Sequence, residues 1–214
     1  MTPQEIYTPL RAAGLTRAGA LGAIGNMMAE AGPQLSPIRV QVGMTNLSDE
    51  AYTKLVDAGR IDFADGAGYG LCQWTMSQRK NWLLSFAKKS GVSVGDGPMQ
   101  ISFFIWECRE YFPDVWKVLT SSNDQDECSD LMCRVYENPA VKNYSTRRAF
   151  TAKAAAETWD TPEDPPADDG DFVVRILQAC MAHDGYWPAD RVDGIKTADF
   201  RQKFIEYAAD VAKV

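Results

Sequence analysis

The 214-residue chain carries 29 acidic side chains against 22 basic ones, a net charge of −7, with a single histidine and 45% hydrophobic residues. That length is enough for a real core and a small second unit. The acidic balance excludes nucleic acid as the main partner, because no basic patch offsets phosphate charge, and no apolar run is long enough to span a membrane.

Thr2-Pro3-Gln4-Glu5 is a capping box with proline at the first helical position, so a first helix is predicted to start there and to stop at Gly14. Thr16 caps a second helix running to Ala31. Its Gly19, Gly22 and Gly25 are poor helix formers, which points to close packing at those positions. Gly32-Pro33 ends that helix and leaves Glu30 in its last turn. Residues 35–62 read as an irregular excursion followed by a helix that opens at Ser48-Asp49-Glu50, shows Ala51, Leu55 and Ala58 on one face, and stops at Gly59.

Asp65 to Trp74 reads as a small hairpin, with Gly66, Gly68 and Gly70 supplying positive φ or close approach. Helical patterning resumes at Ser77, with Trp82, Leu83, Phe86 and Ala87 in one stripe. The stretch from Met99 to Phe112 is apolar nearly all round and is predicted to be the buried central helix. Helices continue over Val115–Leu119, Cys128–Tyr136 and Tyr144–Trp159. Residues 160–171 form an acidic, proline-rich linker. Residues 172–214 then supply a small helical module with turns at Asp184-Gly185-Tyr186 and Asp193-Gly194. The expected fold is mainly α (α+β): a helical domain over 1–159 with a small β-hairpin, the linker, and the C-terminal module.

The five cysteines, Cys72, Cys108, Cys128, Cys133 and Cys180, are odd in number and irregularly spaced, a poor disulfide framework. They read as reduced packing thiols. Cys128 and Cys133 lack a neighbouring histidine or second cysteine pair, so no zinc site is expected, and nothing implies any other metal or cofactor.

The chemistry concentrates in two segments. Gly25-Asn26-Met27-Met28-Ala29-Glu30 places a carboxyl at the end of an apolar helix, and Asp65-Gly66-Ala67-Gly68-Tyr69-Gly70-Leu71-Cys72-Gln73-Trp74-Thr75 supplies aromatic and amide groups. A lone acid in an apolar pocket keeps its proton at neutral pH and can give it to a glycosidic oxygen. Aromatic faces and amides can hold a sugar ring. Asp65 is the candidate second carboxylate, with Asp62 also within reach, although Asp-Gly is equally a common turn dipeptide. Gln73 on a strand is by its type a surface residue. Tyr69 and Trp74 fit either the core or a sugar platform, and Thr75 and Arg79 either line the cleft or pair locally.

These segments resemble the lysozyme superfamily, including goose-type lysozymes and lytic transglycosylases. They are most similar to phage tail-type lysozymes and clostridial phage endolysins. In those a Gly-Asn-x-x-x-Glu helix precedes Ala-Gly-Tyr-Gly-Leu-x-Gln-Trp-Thr and an arginine, here Arg79; the likeness runs from about Ile6 to Ala152. Gly68 stands where chicken-type lysozymes carry their second acid, so at that point the chain resembles the single-acid goose type.

The resemblance implies a peptidoglycan-degrading glycosidase. It would cleave the β-1,4 link between N-acetylmuramic acid and N-acetylglucosamine, with Glu30 as general acid, Asp65 or an ordered water on the far face, and Tyr69, Gln73, Trp74, Thr75 and Arg79 on the substrate. If no second acid acts, the muramic-acid 6-hydroxyl attacks and an anhydro product results, as in lytic transglycosylases. Val174, Leu177, Gln178, Gly185, Tyr186, Val192, Asp193, Gly194, Thr197 and Phe204 resemble a shortened peptidoglycan-binding module.

The expected partner is bacterial peptidoglycan, with neither nucleic acid nor membrane, and the expected state is a monomer. Met1 to Glu5 lacks the marks of a signal peptide. The resemblance therefore implies synthesis in the host cytoplasm and access to the wall by holin-type release or as part of a phage particle. Two rivals remain: a non-catalytic tail or wall-binding protein, and a peptidase using Cys72, whose only histidine, His183, lies across the linker.

Overall fold

The computed structural model describes residues 1–159; the linker and the C-terminal module, with Cys180 and His183, lie outside the described residues. The architecture is mainly helical. Helix α1 (Pro3–Ala12) starts with the expected capping box at Thr2, and α2 (Arg17–Ala31) is capped by the Thr16 side chain. Next come α3 (Asp49–Asp57), α4 (Ser77–Lys89), α5 (Gly97–Tyr111), α6 (Pro113–Ser121) and α7 (Gln125–Leu131). A π-helical turn (Met132–Glu137) and α8 (Tyr144–Ala156) complete the described chain.

The central helix is α2 more than α5. Twelve of its fifteen residues are buried, and it packs against α1, α6, α7, α8 and the π-helical turn. Its glycines make this possible. A Cβ on Gly19 would lie 1.9 Å from the carbonyl oxygen of Leu119, one on Gly22 would lie 2.8 Å from Cβ of Cys128, and one on Gly25 would lie 2.1 Å from Oγ1 of Thr151. The neighbouring helices therefore touch the α2 backbone directly. The apolar pattern of α5 is real, but it serves a second layer, where α5 packs on α1, α4 and α6. The buried face of α3 is Tyr52, Thr53 and Val56, one position off the Ala51, Leu55 and Ala58 face expected from the spacing of apolar residues.

The expected hairpin is reduced to two antiparallel bridges, Val40 with Tyr69 and Tyr69 with Trp74. Gln100, itself buried, fixes the turn between them. Its Oε1 accepts from the Leu71 amide at 2.9 Å, while its Nε2 donates to the carbonyls of Pro37 and Val94. A Cβ on Gly70 would stand 2.5 Å from that Oε1, and Gly70 has φ +74°, so this position requires glycine on both counts.

Candidate active site

Glu30 sits in the last turn of α2, where Gly32 (φ +86°) turns the chain away. Met27 and Met28 of the same helix are buried. Its surroundings are not purely apolar, however. Arg147 of α8 donates from Nη2 to Glu30 Oε1 at 2.5 Å and from Nη1 to Asn26 Oδ1 at 2.8 Å. Asn26, one turn before Glu30 on the same face, in turn donates to the carbonyls of Gly22 and Ser129. Arg147 is 6% exposed and the Glu30 side chain 19%, so the guanidinium lies under the carboxylate and the carboxylate meets solvent. Among the described residues no hydrogen bond reaches Glu30 Oε2.

Asp65 lies in a separate cluster. Its Oδ1 accepts from Lys80 Nζ at 2.7 Å and from the Ala67 amide at 3.0 Å, and its Oδ2 accepts from the Tyr52 hydroxyl at 2.8 Å. Burial pushes this carboxyl up, but the bonds from Lys80, Tyr52 and Ala67 more than reverse it and hold it below the usual range. Lys80 is wholly buried; its Nζ also donates to the Ala67 carbonyl at 2.6 Å. Asp62 is exposed and accepts from the Ala64 amide, as a turn residue does.

Of the two readings open for Trp74 and Tyr69, the core one is what the structure displays. Both are at 0% exposure, so neither ring offers a face to a ligand. The Tyr69 hydroxyl bonds Thr53 at 2.7 Å. Trp74 Nε1 donates to Glu107 Oε2 at 3.0 Å, and Tyr136 donates to the same oxygen at 2.6 Å. Arg79 is turned inward as well, clamping Glu107 through Nε and Nη2 at 2.6 and 2.8 Å and stacking over the Tyr136 ring. Trp74 and Arg79 thus join Glu107 and Tyr136 in a buried ionic core that anchors the glycine-rich segment to α5.

Gln73 and Thr75 remain nearer the surface. Gln73 adopts φ +44°, rare for a residue with a side chain, and its Nε2 donates to the carbonyls of Arg39 and Gly70. A Cβ on Gly68 would lie 2.9 Å from Gln73 Oε1, which explains the glycine there. Thr75 is exposed, with Oγ1 donating to the Gln73 carbonyl at 2.9 Å. Cys72 is buried, and burial pushes its thiol well above the ordinary value, assisted by the charge of Glu137. A neutral, enclosed thiol is a poor nucleophile.

Three important residues carry no local signal in the sequence: Arg147, Glu107 and Lys80. Arg147 lies 117 positions from Glu30 and Glu107 lies 28 from Arg79. No local periodicity links such pairs. Asn26 is legible, because a polar residue four before the acid shares its helical face.

The family model described as phage tail lysozyme matches residues 2–159. No curated protein matches the chain.

Proposed function

The chain belongs to the phage tail lysozyme family, and on that premise we propose that it cleaves the β-1,4 bond between N-acetylmuramic acid and N-acetylglucosamine in peptidoglycan, with Glu30 as general acid. The observation that carries this reading is the position of Glu30: at the end of the most buried helix, gripped from below by Arg147 and open to solvent above. With Oε1 occupied by the guanidinium, Oε2 is the oxygen that carries a proton to the leaving group. Fixing one oxygen leaves the other with a defined aim, which is how positioning contributes to general acid catalysis.

Asp65 is assigned the shaping of the cleft wall. Three donors already engage both its oxygens, which favours single-acid chemistry. Attack on the far face then falls to an ordered water, giving hydrolysis, or to the muramic-acid 6-hydroxyl, giving an anhydro sugar. Gln73 and Thr75 are the proposed substrate contacts. The family's description as a tail lysozyme favours action as part of a phage particle over action after holin release.

The test is Glu30→Gln on purified peptidoglycan. Loss of a general acid should lower the rate by about 10²–10⁴ while the protein stays folded. Mass spectrometry of wild-type fragments separates the two products, since anhydro fragments lack the mass of water. Near wild-type clearing by a folded Glu30→Gln protein would remove Glu30 from the mechanism.

A further inference from the structure

Gly68 stands between two side-chain amides whose hydrogen-bonding capacity the fold uses only in part. Gln41 donates from its backbone amide to the Gly68 carbonyl at 2.8 Å, and its side-chain Oε1 accepts from the Gly68 amide at 3.0 Å. Gln73 Nε2 donates to the carbonyls of Arg39 and Gly70 at 3.0 and 3.1 Å. The spot where a Cβ of Gly68 would stand lies 2.9 Å from Gln73 Oε1 and 3.3 Å from Gln41 Oε1, so the two side chains are neighbours over a bare stretch of backbone.

These bonds decide which way each amide faces. Only the nitrogen of Gln73 can donate to two carbonyls, and only the oxygen of Gln41 can accept from a backbone N–H. An acceptor is left over on Gln73 and a donor on Gln41. Among the described residues, no hydrogen bond reaches Gln73 Oε1 and none leaves Gln41 Nε2. Gln41 is an exposed residue; Gln73 is half-buried, and its Oε1 is not among the enclosed, unpartnered polar atoms, so it meets solvent. The backbone of Gln73 is held at φ +44°, a conformation that costs free energy and clusters at ligand-binding sites.

We propose that Gln41 and Gln73 form a subsite for one secondary amide of the peptidoglycan strand: the amide N–H donates to Gln73 Oε1, and its carbonyl accepts from Gln41 Nε2. This deepens the glycosidase reading and rests on it for the identity of the ligand. A hydroxyl is small and rotates, so it meets one of the two groups at a time. An amide carries its donor and its acceptor on opposite edges of one rigid plane, which suits two groups whose own orientations are pinned. Two parts of peptidoglycan offer this chemistry: the 2-acetamido group of each sugar, and the amide that joins the lactyl group to the stem peptide. The pair sets which strands are held and leaves the proton transfer to Glu30.

The experiment measures binding to the full chain carrying Glu30→Gln, so that the glycan stays whole, with and without Gln41→Glu. That second substitution keeps an oxygen for the Gly68 amide and replaces the free donor with an acceptor. The first pair of probes is the β-1,4 tetramer of N-acetylglucosamine against that of glucose, both neutral. The second is a muramyl disaccharide whose lactyl group ends in an alanine methylamide, against one in which a methyl ester replaces the lactyl amide. The amide-bearing member of one pair should bind about tenfold more tightly than its analogue, and the pair that shows the preference identifies the source. Gln41→Glu should bring that preference close to one. Nitrogen-15 spectra without Gln41→Glu should show the side-chain amide signals of Gln41 and Gln73 moving with the amide-bearing probe and not with its analogue, a readout that stands even if Gln41→Glu fails to fold. No preference in either pair, or a preference that survives Gln41→Glu in a folded protein, would overturn the subsite. Cutting of a peptidoglycan strand by the Glu30→Gln protein would sink the general-acid reading separately, because binding is read without turnover.

Discussion

Asp65, a candidate second carboxylate in the sequence, is tied into structural contacts by the fold. Its carboxylate neutralises Lys80, which is wholly buried. Removing one partner of such a pair leaves an uncompensated charge, although Asp65 is itself 34% exposed and water moderates the cost. Asp65→Asn should therefore destabilise the protein by about 1–3 kcal/mol. The pH dependence has a definite sign. A carboxyl held low in the folded state adds stability above its ordinary pKa, and that stability is lost as pH falls through the folded value. Denaturant unfolding across a pH series should show a constant gap between wild type and Asp65→Asn near neutrality, closing at acid pH. A gap that persists unchanged in acid would mean that Lys80 does not depend on this charge. The sequence cannot reveal this role, since Asp-Gly looks like a turn, and a lysine at the start of a helix looks solvated. Glu30 is legible because its helix, its cap and its terminating glycine are all local signals, whereas Arg147 reaches it only through the tertiary fold.

At the level of elements, local rules place α1 and α2 correctly, down to the Thr2 and Thr16 caps. The role of α2 as the centre is harder to see, because its packing uses absent side chains instead of large apolar ones. The glycines mark where α8 and α7 press on its backbone. Gly25→Ala tests this directly. Alanine gains helix propensity of about 1 kcal/mol, yet its Cβ would meet Thr151 Oγ1 at 2.1 Å and the Thr151 amide nitrogen at 2.6 Å. Overpacking should win, with a net loss of about 1–3 kcal/mol and a fall in Tm of roughly 2–10 °C. Thr151 is one turn beyond Arg147 on α8, so the folded fraction should also lose activity as the guanidinium shifts under Glu30. A Gly25→Ala protein with unchanged Tm and activity would show that α8 can retreat freely. The hairpin is smaller than its glycines suggest for the converse reason. Gly70 and Gln73 use left-handed backbone to hug Gln100 and Arg39, leaving room for only two bridges.

Across the whole molecule, the family match ends at residue 159, just before the acidic, proline-rich segment. Truncation after Trp159 should give a folded protein that turns over short soluble glycans like the full chain but pellets less with insoluble peptidoglycan, because a linked second unit raises effective concentration at the wall. Circular dichroism and a pelleting assay read both parts. A truncated chain that fails to fold would make the tail structural and end its wall-binding assignment. The final described residue is also fastened to the first helix: the Trp159 amide donates to Gln4 Oε1 at 2.9 Å, and Gln4 Nε2 returns a bond to the Trp159 carbonyl at 3.1 Å. Arg17 adds bonds to the carbonyls of Ala155 and Thr158. The described polypeptide therefore closes on itself almost as a ring, which makes it a natural candidate for circular permutation. A short bridge could join its two ends, and new ones could be opened among the exposed residues 41–44. Mechanically, tension drawn through residue 159 is borne first by the Gln4 clasp and the Arg17 bonds, so these shield α8, and Arg147 upon it, from being peeled off the core.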